Sequence, residues 1–262
     1  MSARAKSKLA AREARFAQET HMQAVVIARR RRRTLVGSIT IAIAAVLIAV
    51  TISSGGGATA VASDGSVAGV AYSARLFAGI PQHGTVLGRA NAPVKLVEFA
   101  DLQCPYCDEY AVQALPTLVR DYVRTGEVSM RFENLSFIGP GSVAAGRVAA
   151  AAAQQNRLWN FVDLMYLNQG DENSGYVTPS YLRRLLDAAP GVNVANALSA
   201  SQTPSADAAL QQAAGIANAD GIDSTPSFLI GRAGGPLHVF QPTSLTSAPF
   251  AAAFDALLKG SR

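Results

Sequence analysis

The stretch VKLVEFADLQCPYC, residues 94–107, contains both cysteines of this 262-residue chain. Its first half, Val94 to Ala100, is a short apolar run with β-branched and aromatic residues, which predicts a buried strand. From Cys104 to Arg124 the pattern predicts a helix, and Pro116 is expected to kink it. The two cysteines are therefore expected to follow a strand and to open a helix.

A CxxC pair has several ordinary uses, and the rest of the chain speaks against most of them. Haem attachment requires a histidine directly after the second cysteine, where this chain has Asp108. A zinc site requires two further ligands, but His83 and His238 lie far apart and not in ligand spacing. A structural disulfide across so small a loop restrains little chain entropy. Thiol-disulfide chemistry remains, and it needs neither a metal nor a cofactor.

The position at a helix start affects reactivity because the thiolate is the reactive form of cysteine. Unpaired backbone N–H groups and the positive end of the helix dipole stabilise a thiolate at Cys104. We therefore expect the pKa of Cys104 to fall from about 8.5 to roughly 4.5 to 6.5. Cys107, one turn further along, is expected to be less exposed and less acidic. Pro105 suits the first helical turn, where no backbone N–H is needed.

Downstream of the pair, the pattern predicts further strands and helices. VSMRFENL, residues 128–135, alternates apolar and polar residues as a strand does. An Ala-rich helical block follows, and the segments 226–230 and 237–240 predict a hairpin before a last helix near 245–258. The predicted order is β-α-β, helical block, β-β-α, which is an α/β fold. Four large side chains at near-helical spacing are expected in the core of the block: Trp159, Phe161, Met165 and Tyr166.

The N-terminal region carries the basic charge and the one candidate for a membrane span. Residues 1–33 hold ten of the 23 Lys and Arg residues but two of the 18 acidic ones. The basicity therefore belongs to a short tail, and no nucleic-acid-binding face is expected in the rest. Residues 34–52 form an uncharged apolar run, long enough at roughly 1.5 Å per residue to cross about 30 Å of hydrocarbon. Five arginines precede this run, so the positive-inside rule places the tail in the cytoplasm and the large C-terminal part outside.

The span is expected to be retained as a single-pass signal-anchor in the cell membrane. Residues 53–80, rich in Gly, Ala, Ser and Val, are expected to form a flexible linker after it. Small-residue sites at 58–60 and 60–62 keep a cleaved signal peptide open as the alternative. The 33-residue leader is long for a cleaved peptide, which favours retention.

Two separate motifs resemble the DsbA-like branch of the thioredoxin-fold proteins. The first is VEFADLQCPYC at residues 97–107, preceded by GIPQ at 79–82, and the second is GIDSTPSF at 221–228. The resemblance spans about residues 79–258. It implies a DsbA-like thioredoxin-fold domain at 81–262 with a helical insertion at about 140–218, preceded by one transmembrane helix.

The resemblance also implies roles for individual residues. Cys104 would be the nucleophile and leaving group, and Cys107 its resolving partner. Pro226 would be the cis-proline that faces them, and Thr225 would offer backbone groups to an extended substrate peptide. Glu98 would be a buried carboxylate that relays protons to the resolving cysteine, with a salt-bridged strand residue as the alternative.

The dipeptide between the cysteines would contact substrate and tune the reduction potential. It consists of Pro105 and Tyr106. Strongly oxidising members of the family usually have histidine where this chain has Tyr106. A reduction potential anywhere between about −120 and −270 mV therefore stays open.

The function that the resemblance implies is a protein thiol-disulfide oxidoreductase outside the cytoplasm, in the first place an oxidase. Its substrates would be exported cysteine-containing proteins, and a quinone-linked membrane partner would reoxidise it. The same motif could work as an anchored reductase or isomerase, supplied by a membrane electron donor. A non-catalytic peptide-binding or chaperone module is the hypothesis of another class.

Overall fold

The computed structural model of the protein describes residues 66–260. The predictions of a basic tail at 1–33 and a membrane span at 34–52 lie outside these residues, as does the first part of the predicted linker. Among the helices of residues 66–260, none has both the length and the apolar character that a membrane crossing needs.

The described residues form one mixed sheet with helices packed against it. The strands are β1 (Gln82–His83), β2 (Val86–Leu87), β3 (Val94–Ala100), β4 (Val128–Asn134), β5 (Ser227–Arg232) and β6 (Leu237–Phe240). The helices are α1 (Val70–Phe77), α2 (Pro105–Gln113), α3 (Leu115–Leu118), α4 (Pro140–Gln154), α5 (Leu158–Leu167), α6 (Pro179–Ala188), α7 (Val194–Ala200), α8 (Pro204–Ala219) and α9 (Ser247–Lys259), with a π-helical turn at Val119–Val123 after α3.

The sheet has the strand order β1-β2-β4-β3-β5-β6, so β3 lies near its centre. β3 and β4 run parallel, from the pair Val94 and Val128 to the pair Ala100 and Asn134, and the other neighbours are antiparallel. Helices α2 and α3 make the crossover between the two parallel strands. This architecture confirms the predicted α/β fold.

The two faces of the sheet contribute to two separate apolar cores. Because successive side chains of a strand point to opposite faces, Leu96 packs in the larger cluster and Val97 in the smaller one. In the smaller cluster, Ala213 and Ala217 of α8 pack with Val97 and Phe99. Both faces of β3 are therefore in contact with apolar side chains. The predicted buried strand is confirmed, with the predicted bounds Val94–Ala100.

Helices α4 to α8 lie between β4 and β5 in the chain, where the helical block was predicted. The four large side chains expected in its core are all buried: Trp159, Phe161, Met165 and Tyr166. The predicted hairpin is present as β5 and β6, and the last predicted helix as α9. The two histidines that could have suggested a metal site lie on the exposed sides of β1 and β6.

The prediction of a flexible linker up to residue 80 is wrong for its last part. Helix α1 occupies Val70–Phe77, and its Ser73 and Phe77 are buried. The Phe77 ring packs against Trp159 at 6.4 Å between centroids. The Arg124 guanidinium donates at 2.7 Å to the carbonyls of Leu76 and Ala78, at the end of this helix. Tertiary contacts thus hold a segment whose composition is typical of a linker.

The helix that begins after Cys104 is interrupted, as Pro116 predicted. α2 ends at Gln113, and Ala114 separates it from α3, which contains Pro116 in its first turn. Proline lacks the N–H that would bond to the carbonyl four residues earlier, so the regular hydrogen-bond ladder cannot continue through it. The chain proceeds as the π-helical turn, which ends just before Arg124.

Candidate active site

Cys104 lies at the N-terminus of α2, directly after the turn that leaves β3. It is the N-cap residue in an extended conformation, and Pro105 occupies the first helical position. The sulfur of Cys104 donates to the carbonyl oxygen of Thr225 at 3.4 Å. Only 5% of Cys104 is exposed. The first cysteine of the pair is therefore almost completely buried, and its sulfur faces the loop before β5.

The antiparallel pairing of β3 and β5 brings that loop to the cysteines. Phe99 is the register partner of Ser227, so the residues just before β5 lie beside those just after β3. The Thr225–Pro226 peptide bond is cis, and both residues are half-buried. Two motifs that are more than a hundred residues apart in sequence thus form one site.

The pKa of the Cys104 thiol is lowered to about 7. A hydrogen bond from the Cys107 side chain is the largest cause, and burial acts in the opposite direction. The Thr225 side chain and the backbone N–H groups of Cys107 and Tyr106 also stabilise the thiolate. The pKa lies above the range expected from the sequence because burial of the sulfur offsets part of the helix-terminal stabilisation.

Cys107 is completely buried, and both cysteines are free thiols, so the structure shows the reduced form. Burial, then the hydrogen bond to Cys104, raises the pKa of Cys107 well above the usual value. At neutral pH the pair therefore consists of one thiol that ionises readily and one that keeps its proton. This asymmetry suits a pair in which one sulfur meets the substrate and the other remains inside.

Glu98 lies on β3 with 2% of its surface exposed. Burial raises the pKa of its carboxyl to about 8, and its charge contributes to the raised pKa of Cys107. Its Oε1 has no hydrogen-bond partner within residues 66–260. The Glu98 side chain is thus mostly protonated at neutral pH. It lies near enough to Cys107 to affect the pKa of that thiol.

Pro105 and Tyr106 form the outer side of the pair. Pro105 is exposed and Tyr106 is half-buried. They follow Cys104 in the chain, and the Thr225 carbonyl oxygen lies 3.4 Å from the Cys104 sulfur, with Pro226 next to it across the cis bond.

Asp101 lies between β3 and the cysteines, and no role was predicted for it from the sequence. Its buried carboxylate accepts hydrogen bonds from the N–H groups of Gln103, Phe137 and Ile138 and from the hydroxyl of Ser142. An ionisable residue directly after a buried strand and three residues before a cysteine is the signal that could have identified it.

Gln169 also bonds to the turn between β3 and α2, residues 101–104, which we call the cysteine turn. No role was predicted for it from the sequence. Its side-chain amide donates to the carbonyls of Leu102 and Cys104 at 3.2 and 3.3 Å. It lies just beyond α5, and no local pattern indicates that it returns to the cysteine turn.

Comparison with known proteins agrees with this geometry. A family model described as Thioredoxin matches residues 82–234. The probable disulfide bond formation protein D of Bacillus cereus is 35% identical over 111 residues, which are 41% of this chain and 51% of that protein. The chain thus spans about half the length of the curated relatives it matches.

Two solved structures share the fold. Oxidised BdbD from Bacillus subtilis superposes with a TM-score of 0.60 at 21% identity, covering 69% of this chain and 97% of that one. Alpha-DsbA1 from Wolbachia pipientis gives 0.57 at 16% identity, covering 67% and 91%. At these identities the structures support a DsbA-like fold. Since the matched residues 82–234 run from β1 to the turn of the last hairpin and make up more than half of the chain, the protein belongs to this thioredoxin family.

Proposed function

We propose that the protein is an extracytoplasmic thiol-disulfide oxidoreductase that donates the Cys104–Cys107 disulfide to exported proteins. The observation that carries the proposal is the asymmetry of the pair. The Cys104 sulfur has a pKa lowered to about 7 and lies 3.4 Å from the Thr225 carbonyl, whereas Cys107 is buried with a raised pKa. The names of its relatives, disulfide bond formation protein D, support the same class of enzyme.

The first step is the attack of a substrate thiolate on Cys104 in the oxidised protein. A bond forms between the substrate sulfur and Cys104, the Cys104–Cys107 bond breaks, and Cys107 leaves with the electron pair. Because the Cys107 thiolate would be buried, it has to gain a proton. Glu98, protonated at neutral pH because its pKa is about 8, is the acid that we assign to this transfer.

The second step releases the substrate as a disulfide. A second substrate thiolate attacks the substrate sulfur of the mixed disulfide, and Cys104 leaves as a thiolate. The substrate loses two electrons and the pair gains them. A lowered pKa makes Cys104 a good leaving group, so stabilisation of its thiolate favours donation over retention of the disulfide.

We assign substrate recognition to Pro105, Tyr106, Thr225 and Pro226. The Thr225 backbone, beside the cis bond to Pro226, would pair with an extended peptide segment whose cysteine is at Cys104. Pro105 and Tyr106 would contact the other side of that segment. Backbone pairing of this kind accepts many sequences, which suits an enzyme that acts on many exported proteins.

The location and the redox partner complete the proposal. Residues 34–52 would anchor the protein in the cell membrane as a single-pass span with the N-terminus in the cytoplasm. Disulfides persist outside the cytoplasm, where the catalytic domain would then lie. A quinone-linked membrane partner would take the two electrons from the reduced pair and restore the disulfide.

Replacing the cysteines one at a time tests the activity. Cys104→Ser should abolish disulfide formation in a reduced, unfolded model protein, because no sulfur remains for the substrate to attack. Cys107→Ser cannot form the disulfide and should also be inactive with the reduced model protein. With a substrate that contains a disulfide, the Cys104 thiolate of this variant should displace one substrate sulfur and accumulate as a mixed disulfide, since the resolving sulfur is missing. Ser201→Ala removes a buried hydroxyl far from the pair in sequence and serves as the control that keeps activity. Full activity of Cys104→Ser would overturn the proposal.

The direction of electron flow is tested by the reduction potential and the redox state in the cell. For an oxidase, trapping free thiols with an alkylating reagent should find the pair mostly as the disulfide. If the pair were found mainly reduced and its reduction potential were close to that of thioredoxin, about −270 mV, the protein would be a reductase instead.

A further inference from the structure

The buried carboxylate of Asp101, directly after β3, accepts hydrogen bonds at both of its oxygens. Asp101 has no exposed surface. Its Oδ1 accepts from the Ser142 hydroxyl at 2.6 Å and the Gln103 N–H at 2.8 Å, and its Oδ2 accepts from the Phe137 and Ile138 N–H groups at 3.0 and 3.1 Å. Burying an ionised group is costly unless its lone pairs are satisfied, and here four donors meet both oxygens.

The donors come from three separate segments of the chain. Gln103 belongs to the cysteine turn, Phe137 and Ile138 to the loop after β4, and Ser142 to the first turn of α4. A further bond from the Gln103 side chain to the Ser142 hydroxyl at 2.9 Å closes the arrangement. The Asp101 carboxylate therefore joins the cysteine turn to α4, the first helix of the helical block.

The main chain of the same turn leads to the reactive sulfur. The Cys104 N–H donates to the Asp101 carbonyl at 3.1 Å, and the Tyr166 hydroxyl donates to the same carbonyl at 3.3 Å. Just beyond, the backbone N–H groups of Tyr106 and Cys107 stabilise the Cys104 thiolate. A shift of the turn would change the direction of these N–H groups relative to the sulfur.

We propose that Asp101 is a positioning residue, which through Ser142 and the loop after β4 holds the cysteine turn so that the first N–H groups of α2 point at the Cys104 sulfur. The proposal rests on the proposed function only in that Cys104 is the reactive sulfur. Asp101 touches neither substrate nor the reacting atoms and acts through the geometry of the turn.

The sign of the effect separates positioning from simple electrostatics. Both carboxyl oxygens of Asp101 accept hydrogen bonds, and a negative charge near a thiol opposes formation of the thiolate. Removing its charge would therefore lower the pKa of Cys104 if charge alone mattered. Loss of position would raise that pKa, because the thiolate would lose its N–H donors.

The experiment is a thiolate titration of the full-length reduced protein with Asp101→Asn, followed by absorbance at 240 nm or by alkylation rate. The sequence has only two cysteines, and the pKa of Cys107 is raised well above normal, so the first transition reports Cys104. We expect Asp101→Asn to raise this pKa by about half a unit or more, roughly a threefold change in the thiolate-to-thiol ratio. An unchanged or lowered pKa in the folded variant would overturn the proposal.

Two further variants keep the test decisive. Ser142→Ala removes one of the four donors without a change of charge and should raise the pKa in the same direction by less. Should Asp101→Asn fail to fold, an unchanged pKa in Ser142→Ala overturns the proposal. Ser201→Ala removes another buried hydroxyl, which donates to Leu198 within the helical segment, and should leave the pKa unchanged. An equal rise there would mean general loosening and would also overturn it.

The titration needs no substrate, so its outcome is independent of the activity assay. If Cys104→Ser kept full activity, the proposed function would fail while the thiolate titration would still show whether Asp101 positions the turn.

Discussion

At the scale of single residues, Tyr106 is the position between the cysteines where a charged side chain could change the pKa of Cys104. It is half-buried beside the Cys104 sulfur, and its N–H already stabilises the thiolate. Tyr106→His should lower the pKa of Cys104 from about 7 by about one unit, because an imidazolium next to the sulfur favours its ionised form. Thiolate absorbance across pH measures this shift, and Tyr106→Phe controls for loss of the hydroxyl. A higher pKa in the histidine variant would contradict the tuning argument.

Glu98 gives a second prediction at this scale. If its carboxylic acid protonates the departing Cys107, Glu98→Gln should slow disulfide donation at neutral pH by roughly tenfold or more. The pH–rate profile of the parent should fall as pH rises through about 8, where Glu98 loses its proton. The variant should lack that transition.

A matched control is available in Glu133→Gln. Glu133 is also a nearly buried strand carboxylate, with 8% exposed. It is the register partner of Phe99 and therefore points to the opposite face of the sheet from Glu98. A profile that keeps its transition near 8 in Glu98→Gln would assign the proton transfer to another group.

At the scale of secondary-structure elements, the docking of α1 can be tested by two changes on one helix. Phe77 is 4% exposed and packs on Trp159, whereas Tyr72 is 40% exposed. Phe77→Ala should lower the free energy of unfolding by about 3 to 5 kcal/mol, because a buried ring leaves a cavity. Tyr72→Ala should cost about 1 kcal/mol or less. Urea unfolding measures both, and equal effects would mean that α1 is not docked through Phe77.

The elements that could be predicted from the sequence are those whose own residues show a pattern of apolar and polar side chains. β3 is a seven-residue apolar strand with predicted and observed bounds of Val94–Ala100, because both of its faces are buried. β1 and β2 have two residues each, which is too short to show any alternation. α1 was missed because its stability comes from contacts with Trp159 and Arg124, which lie far away in sequence.

The candidate site divides in the same way. Cys104, Cys107 and the Thr225–Pro226 pair stand in compact motifs, and each can be identified from a few neighbouring letters. The bonds between Asp101 and Ser142, or between Gln169 and the Cys104 carbonyl, join residues that are 41 and 65 positions apart. Such contacts depend on how α4 and α5 pack, and no local pattern of residues records that packing.

At the scale of the whole molecule, the titration of Cys104 links stability to redox state. Its pKa falls from 9.0 to about 7 on folding, so the reduced protein gains stability as pH rises through this interval and loses it as pH falls through 7. A shift of this size corresponds to about 2 to 3 kcal/mol. The disulfide form has no thiol and lacks this contribution.

Cys107 limits the gain at high pH. Its folded pKa is raised, so the unfolded chain releases this proton first, and stability falls once pH exceeds the unfolded value of about 8.5 to 9. The difference in unfolding free energy, reduced minus oxidised, should therefore rise from about pH 7 to a maximum near 8.5 and then decline.

The fluorescence of Trp159 provides the measurement. This residue is the one tryptophan of the chain and is buried, so its emission should report urea unfolding of either redox form. Taking the difference between forms cancels other titrating groups that behave alike in both. A difference that does not vary between pH 6 and 10 would contradict the linkage.

The strand order has a consequence for solubility. An edge strand exposes unpaired N–H and C=O groups that can recruit another extended chain and start aggregation. Here one edge is β1, two residues long, and the other is β6, four residues long between Pro236 and Pro242. An oxidase of newly exported chains would meet unfolded polypeptides continually. Edges this short give such chains little to pair with, so a substrate could leave after its cysteines have reacted without being drawn into a shared sheet.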